Sequence, residues 1–397
     1  MLTKNPIPRW ECLVLVIAFL VLIGNPGLRQ LTTDAEKIDL MEKRSLVKPP
    51  GWEELKTEPE KFPEKFEAFF NDHFGWRREL VNAGSRLKLQ WLAVSPSSLA
   101  VCGRQDWIFY TGDESLSDYR GLRKLSTAEM EGWRRWLEAR EEWLAIRGIR
   151  YLFVIPPNKQ TIYPEFMPSS YARRRGPGIL DQLLDYLKKT GCTVRVVDLR
   201  PALLGAKASG QVYMKADSHW SEFGGFVGAQ EVIEALRVWF PEMKPEAAEG
   251  RFSTILRYYG EDLPTMLGAP GIVSENLTFY RPPDGEQFKE EFFTLPRSPE
   301  ETLLAPVNVT PSHPQTNRRA VVLRDSFGVA LLKPLSRHFA RSTHIWYTKY
   351  HDRDFEADIA GFVEREKPDV VIEQMVERLI VSVRKDDLCF GGKSESE

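Results

Sequence analysis

Short apolar segments alternate with amphipathic helical patterns over residues 126–372, and this alternation limits the possible folds more than any other feature. The apolar segments are residues 151–155, 194–198, 320–323, 344–347 and 369–372. The helical patterns are residues 126–147, 177–190, 222–239, 328–340 and 355–366. Such alternation is typical of a parallel sheet covered by helices on both faces. We therefore predict an α/β fold with functional groups at the carboxyl ends of its strands.

The first residues carry a pattern of a different kind. Lys4 and Arg9 precede an unbroken apolar run over residues 12–24. This run is short for a membrane-spanning helix and has the length of the apolar part of a signal peptide. We predict a signal anchor or signal peptide over residues 1–30. An uncleaved anchor in the inner membrane is favoured, because the best small-residue cleavage site, residues 33–35, lies rather far downstream.

Three further regions follow the apolar run. Residues 31–98 are predicted to be a polar linker and a helical lead-in, with helical periodicity between residues 62 and 94. Residues 99–390 contain the α/β pattern and form the predicted main domain. Within that domain, residues 240–315 are rich in proline and are predicted to be a loop-rich insertion.

Composition excludes some classes of function. A net charge of -2 and an isoelectric point of 6.4 give no electrostatic basis for nucleic-acid binding. Beyond the apolar run, the spacing of Cys102, Cys192 and Cys389 leaves open one disulfide with a free thiol, or three isolated thiols. No Cys or His spacing resembles a metal site, so neither a metal nor a cofactor is expected.

A serine occupies a turn between a predicted strand and a predicted helix. The strand ends at about Leu323, the helix begins near Phe327, and Asp325 and Ser326 lie between them. The N-terminus of a helix offers free N–H groups and a positive potential, which stabilise a developing oxyanion. This position suits a serine nucleophile, although Asp and Ser are also favoured helix caps.

One of only six histidines, His219, lies two residues after Asp217. In an extended segment, residues two apart point to the same side, so this pair is predicted to converge on one pocket. Alternatively, the segment is a loop followed by a helix cap at Ser221. A serine needs a base to accept its proton, and a histidine needs an acid to orient it. Asp217, His219 and Ser326 together therefore form a candidate catalytic triad.

Several stretches resemble one family, the SGNH-hydrolase-like alginate or exopolysaccharide O-acetyltransferases of the AlgX/AlgJ type. The resemblance covers about residues 60 to 375, and its chain order of Asp, His and then Ser departs from that of ordinary SGNH esterases. The stretches that carry it are residues 69–77 (FFNDHFGWR), 101–110 (VCGRQDWIFY), 155–165 (IPPNKQTIYPE), 217–220 (DSHW) and 324–328 (RDSFG).

The resemblance implies an SGNH-like fold and a periplasmic enzyme that moves an acetyl group through a serine acyl-enzyme onto a polysaccharide. It also implies an acetyl donor supplied by a membrane-bound O-acyltransferase. Two alternatives stay open. One is an esterase, in which the same triad admits water. The other is a non-catalytic polysaccharide-binding or assembly protein.

Four further residues are candidates for supporting roles. Asn158 lies just past the strand at residues 151–155, so it is a candidate oxyanion donor, with a simple turn residue as the alternative. Trp220 is a candidate for stacking on a sugar or for packing under the histidine, and packing is slightly favoured. Lys159 and Arg324 are candidates for contacting a carboxylated polymer, although surface charges need no such role.

Overall fold

The computed structural model describes the chain in eight ranges and divides it into two compact units. The described ranges are residues 9–32, 38–39, 44–92, 94–260, 262–283, 285–295, 305–347 and 353–381. One unit contains residues 1–99 and 264–272, and the other contains residues 100–263 and 273–397.

The first unit is mainly helical. Its elements are α1 Arg9–Thr32, β1 Ile38–Asp39, β2 Arg44–Ser45, α2 Trp52–Thr57, α3 Phe62–His73, α4 Arg77–Leu87 and a π-helical turn at Lys88–Leu92. The helical pattern predicted between residues 62 and 94 is therefore present. Helix α1 includes the apolar run of residues 12–24. Within the described ranges, however, no helix is both long and apolar enough to cross a membrane.

The second unit contains the predicted α/β alternation. Its strands are β3 Ala100–Cys102, β4 Ile108–Tyr110, β5 Arg150–Ile155, β6 Val196–Asp198, β7 Phe252–Tyr259, β8 Ser274–Tyr280, β9 Phe288–Phe292, β10 Val307–Pro311, β11 Arg319–Arg324, β12 Arg341–Trp346 and β13 Val370–Gln374. Its helices are α5 Ser115–Tyr119, α6 Thr127–Ala145, α7 Lys159–Ile162, α8 Ser169–Ala172, α9 Ile179–Lys189, α10 Arg200–Ala206, α11 Glu222–Leu236, α12 Asp262–Met266 (which ends in the first unit), α13 Gly328–Ser336 and α14 Arg353–Glu366. 3₁₀ turns lie at Pro164–Phe166 and Glu377–Val381.

Within the described ranges, the main sheet has seven strands in the order β6-β5-β13-β11-β12-β10-β9. The first five are parallel, but β10 pairs antiparallel with β12, and β9 pairs antiparallel with β10. The prediction of a parallel sheet was therefore wrong at this edge, and the sheet is mixed. Strands β7 to β10 lie in residues 240–315, the segment predicted to be a loop-rich insertion. Strand β10 alternates buried and half-buried residues and β9 is largely exposed, so neither has the continuous apolar run of a central strand.

Helices cover both faces of the sheet, as predicted. Val322 of β11 belongs to a core that includes side chains of α11 and α13. Its neighbours Val321 and Leu323 point the other way, into a core that includes side chains of α6, α9 and α14. Cys102 and Cys192 are free thiols, so they are not joined to each other, and Cys389 lies outside the described residues.

The segments that follow β5, β13 and β11 are hydrogen-bonded to one another. After β13, the N–H of Glu377 donates to the carbonyl of Pro156, which follows β5, over 2.9 Å. The N–H of Val376 donates to the carboxylate of Asp325, which follows β11, over 2.7 Å. Three neighbouring strand ends thus form one connected edge.

Candidate active site

Ser326 lies in a tight turn between β11 and α13. The N–H of Gly328 donates to the carbonyl of Asp325 over 3.1 Å. The Asp325 carboxylate accepts from the N–H of Phe327 over 2.8 Å and from the Gln374 amide over 2.7 Å. Burial raises the pKa of Asp325, and these hydrogen bonds oppose that shift. Asp325 therefore stabilises the turn, and the residue at the N-cap of α13 is Phe327 rather than Ser326.

Asp217 and His219 lie in a loop, residues 214–219, which we call the histidine loop. A β-bridge between Tyr213 and Trp220 closes it. The N–H of His219 donates to Oδ1 of Asp217 over 3.0 Å, and His219 Nδ1 lies 2.7 Å from the same oxygen. The prediction that the two side chains converge is correct, but the extended segment behind it was wrong. A tight turn brings them together, because the Asp217 side chain hydrogen-bonds to its own backbone two residues later.

The histidine loop and the serine turn meet at one hydrogen bond. His219 Nε2 lies 2.7 Å from Ser326 Oγ, so all three predicted side chains are in hydrogen-bond contact. The His219 side chain is 29% exposed and that of Asp217 is 14% exposed, so the site is open to solvent. Burial alone would raise the pKa of Asp217, but its hydrogen bonds with His219 and the nearby Lys159 charge hold it well below its usual range. The carboxylate is therefore ionised at neutral pH.

Lys159 contacts the carbonyl side of the histidine loop. Its Nζ lies 3.0 Å from the carbonyl oxygens of both Met214 and Lys215, and 2.7 Å from that of Asp217. Lys159 is only 2% exposed, and burial lowers its pKa to about 7 against the opposing effect of nearby carboxylates. The interpretation of Lys159 as a polymer contact was wrong, because its ammonium faces the protein interior.

Two carboxylates contact the N–H side of the same loop. Glu275 accepts from the N–H of Lys215 over 2.9 Å and from that of Ala216 over 3.1 Å. Asp262 accepts from the N–H of Ser218 over 3.0 Å and from its hydroxyl over 2.7 Å. The sequence indicated neither residue, because both lie in the segment read as a loop-rich insertion.

Asp217, His219 and Asp262 are also the residues best placed to hold a metal ion within the described ranges. One ligand atom from each lies within 4.8 Å of the other two. Each of the three side chains already makes hydrogen bonds, to each other, to Ser218 or to Ser326. The cluster is therefore accounted for as a hydrogen-bond network.

The other candidates have different surroundings. Asn158 is 3% exposed and stands before α7, where its N–H donates to Glu377 Oε2 over 2.7 Å. Its side chain does not cap that helix, so the side-chain amide makes no hydrogen bond to the first turn of α7. Trp220 is 2% exposed and its Nε1 donates to the carbonyl of Phe327 over 2.9 Å. The Trp220 ring packs against that of Phe327, and the Phe327 ring in turn contacts His219, so Trp220 packs in the core behind the histidine. Its burial is inconsistent with stacking on a sugar.

Arg324 is buried beneath the serine turn. It is 3% exposed, and its guanidinium lies 5.2 Å from the centre of the Trp346 ring. Burial lowers its pKa to about 10. The interpretation of Arg324 as a surface charge that contacts a polymer was wrong.

A serine, a histidine and an aspartate in hydrogen-bond contact at the edge of an α/β sheet are typical of enzymes that use a serine nucleophile. The family described as SGNH hydrolase-like domain, acetyltransferase AlgX, matches residues 100–305. Because this match covers more than half of the chain, the chain belongs to that family.

Curated relatives agree with that membership, and one solved structure shares the fold. The Probable alginate O-acetylase AlgJ of Pseudomonas syringae pv. tomato is 26% identical over 220 residues, which are 55% of this chain and 53% of that protein. The Probable alginate O-acetylase AlgJ of Pseudomonas putida is 27% identical over 138 residues, 34% of this chain and 33% of that protein. The matches thus span between a third and about half of these relatives. The structure of Bacillus cereus PatB1 with a sulfonyl adduct is 16% identical, with a TM-score of 0.51, over 71% of this chain and 97% of PatB1, which shows a shared fold.

Proposed function

We propose that the chain is a serine O-acetyltransferase that moves an acetyl group through a Ser326 acyl-enzyme onto hydroxyls of an exported polysaccharide. The observation that carries the proposal is the chain of two 2.7 Å contacts from Asp217 through His219 to Ser326. Family membership and the names of the AlgJ relatives support acetyl transfer to a polysaccharide as the reaction.

In the first half-reaction, Ser326 Oγ attacks the carbonyl carbon of the acetyl donor. His219 Nε2 accepts the hydroxyl proton as the new C–O bond forms. Asp217 keeps the Nδ1 proton in place and stabilises the charged imidazolium. When the tetrahedral intermediate collapses, the donor's leaving group departs with the proton from His219, and acetyl-Ser326 remains.

Two N–H donors are proposed for the oxyanion of that intermediate. One is the backbone N–H of Ser326 at the start of α13, where the helix end favours negative charge. The other is the side-chain amide of Asn158, which lies at the same edge of the sheet and does not cap α7. Removing one such donor typically slows a reaction by about 100- to 1,000-fold.

In the second half-reaction, a sugar hydroxyl attacks the acetyl-serine. His219 accepts the hydroxyl proton and returns it to Ser326 Oγ as the C–O bond to serine breaks. The products are an acetylated sugar and the free enzyme. Water in place of the sugar would give acetate, so transfer depends on acceptor binding and exclusion of water.

Export is a separate part of the proposal. We propose that residues 12–24 direct the chain across the inner membrane and hold it there, near a membrane-bound O-acyltransferase that supplies the acetyl donor. The supporting observation is the apolar run behind Lys4 and Arg9. A reporter that is active only outside the cytoplasm, fused after residue 381, is expected to be active. Loss of that activity on deletion of residues 12–24 is the expected control, and an inactive full-length fusion would contradict export.

The reaction is tested by burst kinetics of the full-length protein with an activated acetyl ester, followed by intact-mass measurement. We expect an acetyl adduct on the wild type, no adduct on Ser326→Ala, and transfer to an added oligosaccharide. Discharge to water alone, even with oligosaccharide present, would indicate an esterase. Equal behaviour of the two proteins would indicate a non-catalytic binding protein.

A further inference from the structure

Lys159 is a fully buried lysine that takes no part in the proposed chemistry. It follows β5 and begins α7, about sixty residues before the histidine loop in sequence. Its Nζ hydrogen-bonds to three backbone carbonyls of that loop, those of Met214, Lys215 and Asp217. The rings of Trp107 and Phe109 lie 5.7 and 5.4 Å from the same nitrogen. Burial of a charged group is unfavourable unless the group is paired. The partners of Lys159 are carbonyl oxygens, so a salt bridge does not explain why the lysine is buried here.

The partners of Lys159 are carbonyl oxygens, and no carboxylate within the described ranges hydrogen-bonds to its Nζ. An ammonium has three N–H donors, and here three carbonyls accept them. The three oxygens converge on one point, where their partial negative charges would repel each other without a cation between them. The geometry therefore fixes the path of the loop backbone.

One of the three carbonyls belongs to Asp217 itself. The carbonyl of Asp217 contacts Lys159 over 2.7 Å, and its carboxylate contacts His219 over 2.7 Å. Any shift of this peptide unit therefore moves the carboxylate, and with it the imidazole that contacts Ser326. A misplacement of about 1 Å in a reacting group can reduce a rate by about 100-fold.

We propose that Lys159 is a positioning residue for acyl transfer, whose ammonium holds the histidine loop so that Asp217 and His219 stay aligned with Ser326. This inference rests on the proposed function of the same site. It assigns the buried lysine a role in the rate of acylation and none in the binding of donor or acceptor.

The charge of Lys159 contributes in the same direction. Asp217, Glu275 and Asp262 favour the protonated ammonium, and the ammonium in turn helps to keep Asp217 ionised. A neutral amine has only two N–H donors for the three carbonyls. The protonated form is therefore the one that makes all three hydrogen bonds between α7 and the histidine loop.

The test compares three variants of the full-length protein. Lys159→Met keeps the length of the side chain and removes all three donors, whereas Lys159→Gln keeps two donors and no charge. The matched control is Lys207→Met. Lys207 also donates to a carbonyl at α7, that of Ile162 over 2.7 Å, but within the described residues it makes no hydrogen bond to the histidine loop.

Single-turnover acylation by an activated acetyl ester is measured for each variant, together with the half-saturating ester concentration and the urea midpoint of unfolding. We expect Lys159→Met to acylate about 10- to 100-fold more slowly, with an unchanged half-saturating concentration. Lys159→Gln should lie between Lys159→Met and the wild type, and Lys207→Met should match the wild type. The NMR resonance of the Nδ1 proton of His219 should shift in both Lys159 variants only.

Two results would overturn the positioning role. One is a wild-type acylation rate in Lys159→Met or in Lys159→Gln. The other is a rate loss that disappears at a temperature where the variant is fully folded. The proposed function fails in a different way, because a wild type without an adduct, or an adduct on Ser326→Ala, would contradict it whatever Lys159 does.

Discussion

The serine turn and the histidine loop contribute the two halves of one site, but they are held in place by different means. The turn, residues 324–328, continues directly from β11 into α13 and is fixed by the carboxylate of its own Asp325. The histidine loop lies outside any strand or helix. It is fixed by three charged side chains that are distant in sequence, Lys159, Asp262 and Glu275.

The serine turn is thus positioned largely by a side chain of its own, whereas the histidine loop is positioned by side chains distant in sequence. A strand that ends in a turn before a helix places its serine largely through local backbone geometry, here supported by the side chain of the neighbouring Asp325. A loop has no such frame, and its exposed peptide groups must find partners elsewhere. Here charged groups supply those partners, and hydrogen bonds to charged groups are stronger than neutral ones. We therefore expect the two halves to respond differently to substitution and to pH.

The largest expected effect comes from removing the group that joins the two halves. His219→Ala should slow acylation by at least about 10,000-fold, because both the base and its link to Asp217 are lost. The measurement is single-turnover acylation by an activated acetyl ester. The urea midpoint serves as control and should change little, since the ring is 29% exposed. A loss of less than tenfold would show that Ser326 does not depend on this base.

The next largest effect is expected at the start of α7, which contacts both halves of the site. Asn158 is proposed to stabilise the oxyanion, and its neighbour Lys159 holds the histidine loop. Asn158→Ala should slow acylation by about 100- to 1,000-fold. The resonance of the Nδ1 proton of His219 should stay in place, since among the described residues Asn158 makes no hydrogen bond to the loop. A wild-type rate would remove Asn158 from the oxyanion site, and a shifted resonance would show that it acts through the loop.

A matched pair of substitutions compares the anchors of the two halves. Glu275→Gln weakens the N–H contacts of the histidine loop, and Asp325→Asn weakens those of the serine turn. Each is expected to lower the free energy of unfolding by about 1.5 to 3 kcal/mol, because hydrogen bonds to a buried carboxylate are lost. Urea unfolding measures both. Changes below about 0.5 kcal/mol, the range of ordinary surface substitutions, would contradict these anchoring roles.

The smallest effect is a difference in pH dependence, of opposite sign in the two halves. Burial lowers the pKa of Lys159 to about 7 from 10.5, so between these values the unfolded chain binds a proton that the native chain does not. Its contribution to stability therefore rises with pH over this window. Burial raises the pKa of Asp325 above 3.8, so its contribution falls as pH rises through that shift.

Urea unfolding of the wild type, Lys159→Met and Asp325→Asn across pH separates these two contributions. The difference between the wild type and Lys159→Met should grow in favour of the wild type from pH 7 upward. The difference between the wild type and Asp325→Asn should move the other way above about pH 4. If the free energy of unfolding changes with pH in the same way in the wild type and in both variants, neither Lys159 nor Asp325 has the shifted pKa described here.

The serine half could be predicted from sequence because its structure is local. The apolar segment at residues 320–323 lies within β11, Arg319–Arg324, and the helix begins at Gly328, one residue after the predicted start. The five parallel strands were found in the same way. Edge strands β9 and β10 were missed, because a partly exposed antiparallel strand lacks the continuous apolar run of a buried one.

The histidine half could be predicted only in part. The pairing of Asp217 with His219 followed from their chemistry, but the turn that joins them and the side chains that hold it did not. Lysine is rarely fully buried, so Lys159 was interpreted as a surface contact. One signal was available, because Lys159 is the only charged residue in the stretch from Tyr151 to Pro164. A single charged residue in such an apolar stretch indicates that its side chain contacts polar groups in the protein interior rather than solvent.

The most direct test of the joint action of the two halves is to locate the acetyl group after a single turnover. Full-length wild type and His219→Ala are exposed to an activated acetyl ester, quenched, digested and mapped by peptide mass spectrometry. We predict acetylation of Ser326 in the wild type within the burst, and none in His219→Ala on the same time scale. Acetyl on another residue, or equal acetylation of Ser326 in both proteins, would contradict the joint action of the two halves.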